Sequence, residues 1–161
     1  MTEHSPGNLI RWLFDSRRGA QDRLVPRWIF LRALAAIYFS AFFSLLFQIK
    51  GLIGPVGILP AGQYLAAVAN AFGVTRYWFA PSIFWLSASS PVLMAVMGIG
   101  LAASVLAFLN LWPRLNFFIC FVCFLSFVAA AQEFSGYQSD GMLLAAGFLA
   151  LFFAPSGVWP G

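Results

Sequence analysis

Charged residues are scarce in this sequence. Of its 161 residues, 9% are charged and 61% are hydrophobic, and phenylalanine alone occurs 19 times. Soluble domains average about a quarter charged residues. A soluble core of this size cannot bury so much apolar surface, so the composition predicts that lipid surrounds most of the chain. Because backbone in lipid must be hydrogen-bonded internally and the apolar runs are long, we predict an all-α, polytopic helical membrane protein.

The residue types that carry most metal and nucleophilic chemistry are also scarce. The sequence has one histidine, His4, and two cysteines, and its one lysine is Lys50. These residues cannot assemble a zinc site without further ligands, and two cysteines imply no disulfide framework. A Ser-His-Asp arrangement would require His4 to reach from the tail into the membrane. We therefore predict no metal, no cofactor and no enzymatic activity.

Basic residues are few outside the beginning of the chain, where residues 1–27 form a polar and basic tail. A nucleic-acid interface needs basic residues spread over a folded face, so no nucleic-acid partner is predicted. Within the tail, the segment NLIRWLF at residues 8–14 is compatible either with a short helix on an anionic membrane surface or with a loosely ordered tail. The apolar run that follows is too long for a cleavable signal peptide and predicts a retained membrane anchor.

Four apolar segments follow the tail and define a transmembrane domain over residues 28–161. The predicted spans are residues 28–49, 91–111, 115–132 and 141–154. The fourth is too short to cross a hydrocarbon core of ~30 Å at ~1.5 Å per residue. It must therefore start earlier, be shielded by other helices, or re-enter the membrane from one side.

A long apolar connection, residues 50–90, joins the first two spans. Its first part, GLIGPVGILPAGQ, is too rich in glycine and proline for a regular helix, and a short helix ending at Gly73 is predicted next. The later aromatic run, RYWFAPSIFWL, is typical of the headgroup level. The distribution of basic residues predicts a cytoplasmic N-terminus. The connection and the 133–139 turn then share the extracytoplasmic face.

The charged residues near the predicted spans each admit two interpretations. Arg32 either extends to the lipid headgroups or faces inward with a functional role. Glu133 and Asp140 are candidates for function because charges at membrane depth are expensive. Equally, Asp140 can cap the fourth segment and Glu133 can end the third at the headgroups. Either acid could also pair with Arg76 on the same face.

Small residues inside the spans predict close helix packing. The second span contains two pairs spaced by four, Gly98 with Ala102 and Gly100 with Ser104, a spacing that lets helices approach closely. The CFVC motif at residues 120–123 lies inside the third span. A redox CxxC motif normally needs an exposed helix N-terminus, so both cysteines are predicted to be small packing residues.

Four stretches of the chain resemble the lipase maturation factor family. They are RALAAIYFSAFFSLLFQIKGLIGPVGILPA at residues 32–61, PSIFWLSAS at 81–89, QEFSGYQSDGMLL at 132–144 and GFLALFFAP at 147–155. The similarity extends over about residues 27–155 in order. In its membrane part, this family is related to the vitamin K-dependent carboxylases.

The resemblance implies a membrane protein that helps secreted lipases fold or assemble. A bacterial member is expected in the inner membrane. Family members are several times longer, so we expect this chain to be part of a longer architecture. The family commonly has an acid where this chain has Ala145, and Ser139 stands where many members have tryptophan. These departures question any activity that needs the acid or the rest of the architecture.

The implied partners are the lipid bilayer, a secreted lipase client, and other membrane helices or a second copy of the chain. Two alternatives to a maturation factor are a non-enzymatic interaction subunit and, less favoured, a carboxylase-related enzyme, for which Lys50 lies outside any recognisable motif. The family-motif and interface candidates are Arg32, Gln48, Gly51, Gly54, Gly57, Pro60, Glu133, Gln138, Asp140, Gly147 and Phe148.

Overall fold

The structure is a computed structural model that describes residues 24–131 and 138–155, where every regular element is helical. The helices are α1 (Leu24–Leu52), α2 (Ala61–Phe72), α3 (Arg76–Phe79), α4 (Ser90–Phe108), α5 (Pro113–Ala130) and α6 (Gln138–Phe153), with 3-10 turns at Gly73–Thr75 and Ile83–Trp85. The chain divides into two units, Met1–Phe30 and Leu31–Gly161. Only the opening turns of α1 are described in the first unit.

Three of the described helices are long and apolar enough to cross a membrane. They are α1 from Pro26 to Leu52, α4 and α5, while α6 is a shorter apolar helix. The all-α, polytopic membrane fold predicted from the composition is therefore confirmed. The fourth segment starts earlier than predicted, at Gln138, and its 16 residues measure ~24 Å at ~1.5 Å per residue.

The end of α4 and the start of α5 differ from the predicted boundaries, and the residues of the turn between the two helices explain both differences. Helix α4 ends at Phe108 rather than residue 111, because Asn110 adopts a left-handed conformation with φ 63°. Helix α5 begins at Pro113, since proline at the first helical position has no N–H that needs a partner. Asn116 holds the intervening turn by donating from Nδ2 to the carbonyl of Leu111 at 2.6 Å.

Helix α5 is the centre of the bundle in the second unit. It packs extensively against both α4 and α6, and its Phe124 contacts the rings of Tyr38 and Phe42 in α1. Arg114, in the first turn of α5, donates from Nη2 to the carbonyl of Ala154 at 3.2 Å. This contact places a cation at the C-terminal end of α6, where the helix dipole favours positive charge.

The predicted short helix in the long connection is present as α2. It ends at Gly73, whose φ of 53° lies in a region that glycine adopts without a steric penalty. The predicted helix began at Tyr64, which is three residues too late. In the structure, α2 begins at Ala61, directly after Pro60.

Candidate functional site

The helices of the second unit meet around a buried tyrosine in α1. Tyr38 has no exposed surface, and its hydroxyl donates to the carbonyl of Leu143 in α6 at 3.1 Å. Its ring lies 6.0 Å from that of Phe42 and, edge-on, 5.9 Å from that of Phe124 in α5. We call this cluster, together with Gly100 and Gly147, the core junction. It fixes α1, α4, α5 and α6 relative to one another at a single place.

Two glycines make room for the aromatic rings of the core junction. A Cβ atom at Gly147 would collide with the Tyr38 hydroxyl and lie 2.9 Å from Cζ of the same ring. A Cβ atom at Gly100 would lie 2.6 Å from the ring of Phe42. Gly147, a family-motif candidate from the sequence, is therefore a packing residue that lets α6 approach α1.

The two predicted pairs of small residues in α4 have different surroundings. Gly100 and Ser104 are buried in the bundle. By contrast, Ala102 is exposed and a Cβ atom at Gly98 would meet nothing within 4 Å. Gly100 and Ser104 therefore pack closely, as predicted, whereas Gly98 and Ala102 do not pack closely within the described residues, because they lie towards the outer face of α4.

The cysteines of the CFVC motif are buried packing residues, as predicted. Both are free and buried, and Sγ of Cys120 lies 3.7 Å from the carbonyl oxygen of Gly100 in α4. Among the residues that the structure describes, no group of three His, Cys, Asp or Glu side chains could hold a metal ion.

The predicted candidates of the fourth segment do not converge on one site. Gln138 is the first residue of α6, and Asp140 lies in its first turn, where the helix dipole stabilises a carboxylate. Phe148 is on the outer face, with its ring 6.1 Å from that of Phe121. Glu133 lies outside the described residues.

The outer face of α6 also carries Ala145. Both Ala145 and Gly141 are exposed, and a Cβ atom at Gly141 would meet nothing within 4 Å. Although Gly141 and Ala145 are small and spaced by four, they do not form the close packing of α6 within the described residues. The buried face of α6 contains Leu143, Gly147 and Ala150 instead.

The candidates at the two ends of α1 are also separate from one another. Arg32 is half-buried near the beginning of the helix. Gln48 is exposed and donates from Nε2 to Oγ of Ser44 on its own helix at 3.2 Å. Gly51 is exposed, with open space where a Cβ atom would be.

The remaining glycine and proline candidates build a compact turn after α1. The amides of Ile58 and Ala61 donate to the carbonyls of Gly51 and Ile53, at 2.9 and 3.0 Å. A Cβ atom at Gly54 would collide with the carbonyl of Lys50, and one at Gly57 would lie 2.9 Å from that of Leu52. Pro60 directly precedes α2 and is half-buried. Non-helical backbone near lipid must satisfy its own hydrogen bonds, and the amides of Ile58 and Ala61 do so within this turn.

The later part of the connection is anchored on α5 through Ser126. The amide of Ile83 donates to Oγ of Ser126 at 3.0 Å, and Oγ of Ser82 donates to the Ser126 carbonyl at 3.0 Å. Phe84 is buried beside this contact. The connection is therefore a folded structure attached to the bundle.

The outward surface of the connection is strongly apolar. The most exposed large side chains are Val56 at 99%, Trp78 at 92%, Val74 at 88% and Leu86 at 87%. Exposed apolar surface of this kind marks contact with a membrane or with a partner, and tryptophan is typical of the headgroup level. The location of the connection on or in the membrane stays a prediction.

Sequence reasoning missed Tyr38 and Ser126, although each contributes a contact between distant segments. A tyrosine in the middle of an apolar run is a detectable signal, because its buried hydroxyl requires an acceptor. Nothing in the sequence distinguishes Ser126 from the other serines of the chain.

These features define a polytopic helical membrane protein whose first two spans are joined by a folded apolar connection. Residues 25–160 match the family model of the lipase maturation factor transmembrane domain. The chain therefore belongs to the lipase maturation factor family, which confirms the resemblance seen in the sequence.

Two relatives illustrate the similarity. Lipase maturation factor 2 of Rattus norvegicus is 35% identical over 138 residues, which cover 81% of this chain and 20% of the relative. Lipase maturation factor 1 of Mus musculus is 33% identical over 167 residues, covering 95% of this chain and 29% of the relative. This chain thus spans less than a third of the length of these relatives. No solved structure matches it.

Proposed function

We propose that this chain acts as the membrane part of a lipase maturation factor, assisting secreted lipases to fold or assemble. The observation that supports the proposal is the match of the family's transmembrane domain to residues 25–160. Because this chain spans 20% of its rat relative, we assign it the membrane role of the family. In this proposal, the membrane part presents an apolar surface to a client at the point where the client emerges from the membrane.

The proposal includes an orientation and a compartment. Residues 1–27 and Arg114 lie on the cytoplasmic side, while Lys50 and the connection lie on the opposite side, in agreement with the positive-inside rule. The membrane is the bacterial inner membrane, which secreted lipases must cross. Reporter fusions at residue 1 and after Pro81 test the orientation, and activity of a periplasmic reporter at residue 1 would contradict it.

The mechanism that we propose is non-enzymatic. The connection presents a fixed apolar surface, which includes Val56, Val74 and Leu86, and its fold is attached to α5 through Ser126. A client segment that has not yet buried its own apolar residues would be stabilised on such a surface. No covalent step and no cofactor is needed for this action.

Secreted lipase activity tests the function. The gene for the chain is deleted in its source organism, and a secreted lipase of the same source is measured both as protein amount and as activity per amount. We expect the activity per amount to fall and to be restored by the wild-type chain. Restoration by a full-length relative but not by this chain would show that it does not suffice as a maturation factor. An unchanged activity after deletion would refute the proposal.

An interaction subunit without a lipase client is the second candidate, and one observation favours it. A shallow apolar groove of about 270 Å³ lies between α1 and α4, lined by residues that include Ala35, Phe39 and Val105. The exposed Ala102 lies on the face of α4 that also carries Val105. Small residues beside such a groove suit the approach of another membrane helix. Crosslinking in native membranes tests this function, and a purely monomeric chain would count against it.

A further inference from the structure

Arg76 occupies an unusual position in the connection. It opens α3, and its side chain is half-buried. The guanidinium carbon lies 4.8 Å from the centre of the Tyr77 ring and 5.1 Å from that of the Trp85 ring. One nitrogen, Nη2, donates to the hydroxyl of Tyr77 at 2.8 Å. The cation thus lies against two aromatic rings that contact each other edge-on, with their centres 5.6 Å apart, and a planar guanidinium stacks on such rings better than the ammonium of lysine does.

The bonding of this guanidinium is incomplete. Its Nε atom is buried and has no hydrogen-bond acceptor within the part of the chain that the structure describes. A buried donor without an acceptor is costly, and an arginine cannot escape the cost by losing its proton. The guanidinium therefore keeps its positive charge, and an oxyanion is the acceptor that best matches that charge.

The chain offers no such acceptor nearby in sequence. Between Lys50 and Arg114, Arg76 is the one charged residue, and the stretch contains no acid. A guanidinium presents its N–H groups in a planar fork that matches two oxygens of a phosphate or a carboxylate. We take an external oxyanion, rather than the pairing with Glu133 or Asp140 that the sequence left open, as the chemistry that completes the site.

The aromatic side of the site is rigid. Nε1 of Trp85 donates to the carbonyl of Ala80 at 2.8 Å, and Ile83, two residues earlier, is bonded to Ser126 of α5. The ring of Trp85 is therefore fixed relative to the membrane-spanning bundle. An anion bound at Arg76 would be held at a constant depth.

The surroundings identify the source of the oxyanion. Three large apolar side chains within ten residues of Arg76 are almost fully exposed, namely Val74, Trp78 and Leu86. Such apolar side chains suit contact with acyl chains as well as with a client segment, and tryptophan is typical of the headgroup level. We propose that Arg76, held by Tyr77 and Trp85, binds the phosphate of a phospholipid headgroup at the membrane interface. This site would anchor the connection at a fixed depth, whether or not a lipase is the client.

Lipid binding to the purified full chain tests the proposal. The chain in a neutral detergent is titrated with phosphatidylglycerol and, separately, with diacylglycerol of the same acyl chains, and native mass spectrometry counts the bound lipid. We expect phosphatidylglycerol to bind the wild type more tightly than diacylglycerol. Arg76→Gln should weaken phosphatidylglycerol binding by roughly tenfold, as expected for loss of a charge-assisted hydrogen bond. It should leave diacylglycerol binding unchanged.

Two further variants separate a built site from simple charge attraction. Lys50→Gln removes the other basic residue at this end of the bundle, where the side chain is exposed, and should keep binding near the wild-type value. Arg76→Lys keeps the charge but removes the Nε–H group and the planar fork. Arg76→Lys should therefore weaken phosphatidylglycerol binding by roughly threefold. If Arg76→Gln does not fold, Arg76→Lys alone decides the test.

Several outcomes would overturn the proposal. If Arg76→Lys bound phosphatidylglycerol as tightly as the wild type does, a positive charge alone would explain the binding. Equal losses of affinity in Lys50→Gln and Arg76→Gln would lead to the same conclusion. Equal affinity for phosphatidylglycerol and diacylglycerol would exclude the phosphate. Complete displacement of the lipid by inorganic phosphate would assign the site to a soluble ion instead.

Discussion

Substitution of Gly147 by alanine tests whether the core junction determines the packing of α1 against α6. The new Cβ atom would collide with the Tyr38 hydroxyl and lie 2.9 Å from Cζ of its ring. Overpacking of this kind costs ~1–3 kcal/mol, while the gain in helix propensity returns at most ~1 kcal/mol. We expect a net loss of ~1–2 kcal/mol in the free energy of unfolding.

Gly98→Ala is the matched control for this substitution. Gly98 is also a helical glycine in a membrane span, but a Cβ atom there would meet nothing within 4 Å. The propensity gain is then unopposed, so this variant should be neutral or more stable by up to ~1 kcal/mol. The difference between the two variants isolates the packing contribution from the helix propensity.

A double-mutant cycle with Tyr38→Phe makes the prediction specific to one contact. Tyr38→Phe removes the hydroxyl bond to Leu143, and such bonds inside membranes average ~0.6 kcal/mol. In this background the hydroxyl no longer opposes the new Cβ atom, so Gly147→Ala should cost less than in the wild type. We expect a coupling energy of ~0.5–1.5 kcal/mol.

The assay is reversible unfolding in mixed micelles, followed by circular dichroism. It compares the wild type with Gly147→Ala, Tyr38→Phe, the double variant and the control Gly98→Ala. Additive effects of Gly147→Ala and Tyr38→Phe would refute the reasoning, because they would show that the two residues do not meet. An equal effect of Gly147→Ala and Gly98→Ala would refute it as well.

Three further predictions concern the connection and the outer face of α6. Gly54→Ala should destabilise the chain by ~1–3 kcal/mol, since its Cβ atom would collide with a carbonyl. The same change at Gly51, a helical glycine with open space at its Cβ position, should be neutral or stabilising by up to ~1 kcal/mol, and equal effects of the two changes would contradict the turn geometry. Ser126→Ala removes the acceptor of the Ile83 amide. Hydrogen exchange at Ile83 should therefore accelerate by roughly tenfold, whereas unchanged exchange would exclude the anchor. Ala145→Glu should reduce the membrane-inserted yield, because the residue is exposed in the middle of α6 and a charge facing lipid costs ~2.5–3.5 kcal/mol. Ala145→Gln is its uncharged control, and normal insertion of the glutamate variant would show that this face is covered.

The spans were predictable from the sequence because lipid imposes a simple requirement of long uncharged helical runs. Helices α4 and α5 occupy the predicted segments, and their hairpin follows from the short polar turn between them. The ends were less predictable, since they depend on turn chemistry. Asn110, with its left-handed conformation, ends α4 earlier than hydropathy alone indicates.

The faces of the helices were harder to predict than their positions. Gly98 and Gly100 are equally small and lie two residues apart, yet only Gly100 is buried against an aromatic ring. In a soluble protein the polar face would show which residue points outwards. Here both faces of α4 are apolar, so the sequence carries no such signal.

The contacts of the core junction could not be predicted at all from one sequence. The bond between Tyr38 and Leu143 joins residues 105 positions apart, and no periodicity relates two segments at that distance. Gly147 was identified from the resemblance to the family, but its role became clear only from its proximity to the Tyr38 hydroxyl.

Helix association in this protein has to rely on shape and on a few hydrogen bonds. Lipid tails are as apolar as leucine, so burying another apolar side chain between helices gains little over leaving it in lipid. Close approach at Gly100 and Gly147, by contrast, is available only to the correct partner helix. The polar side chains Tyr38 and Ser126 each bond to a segment distant in sequence. A chain with so little charge can therefore specify one arrangement of its helices, provided that these few residues stay in place.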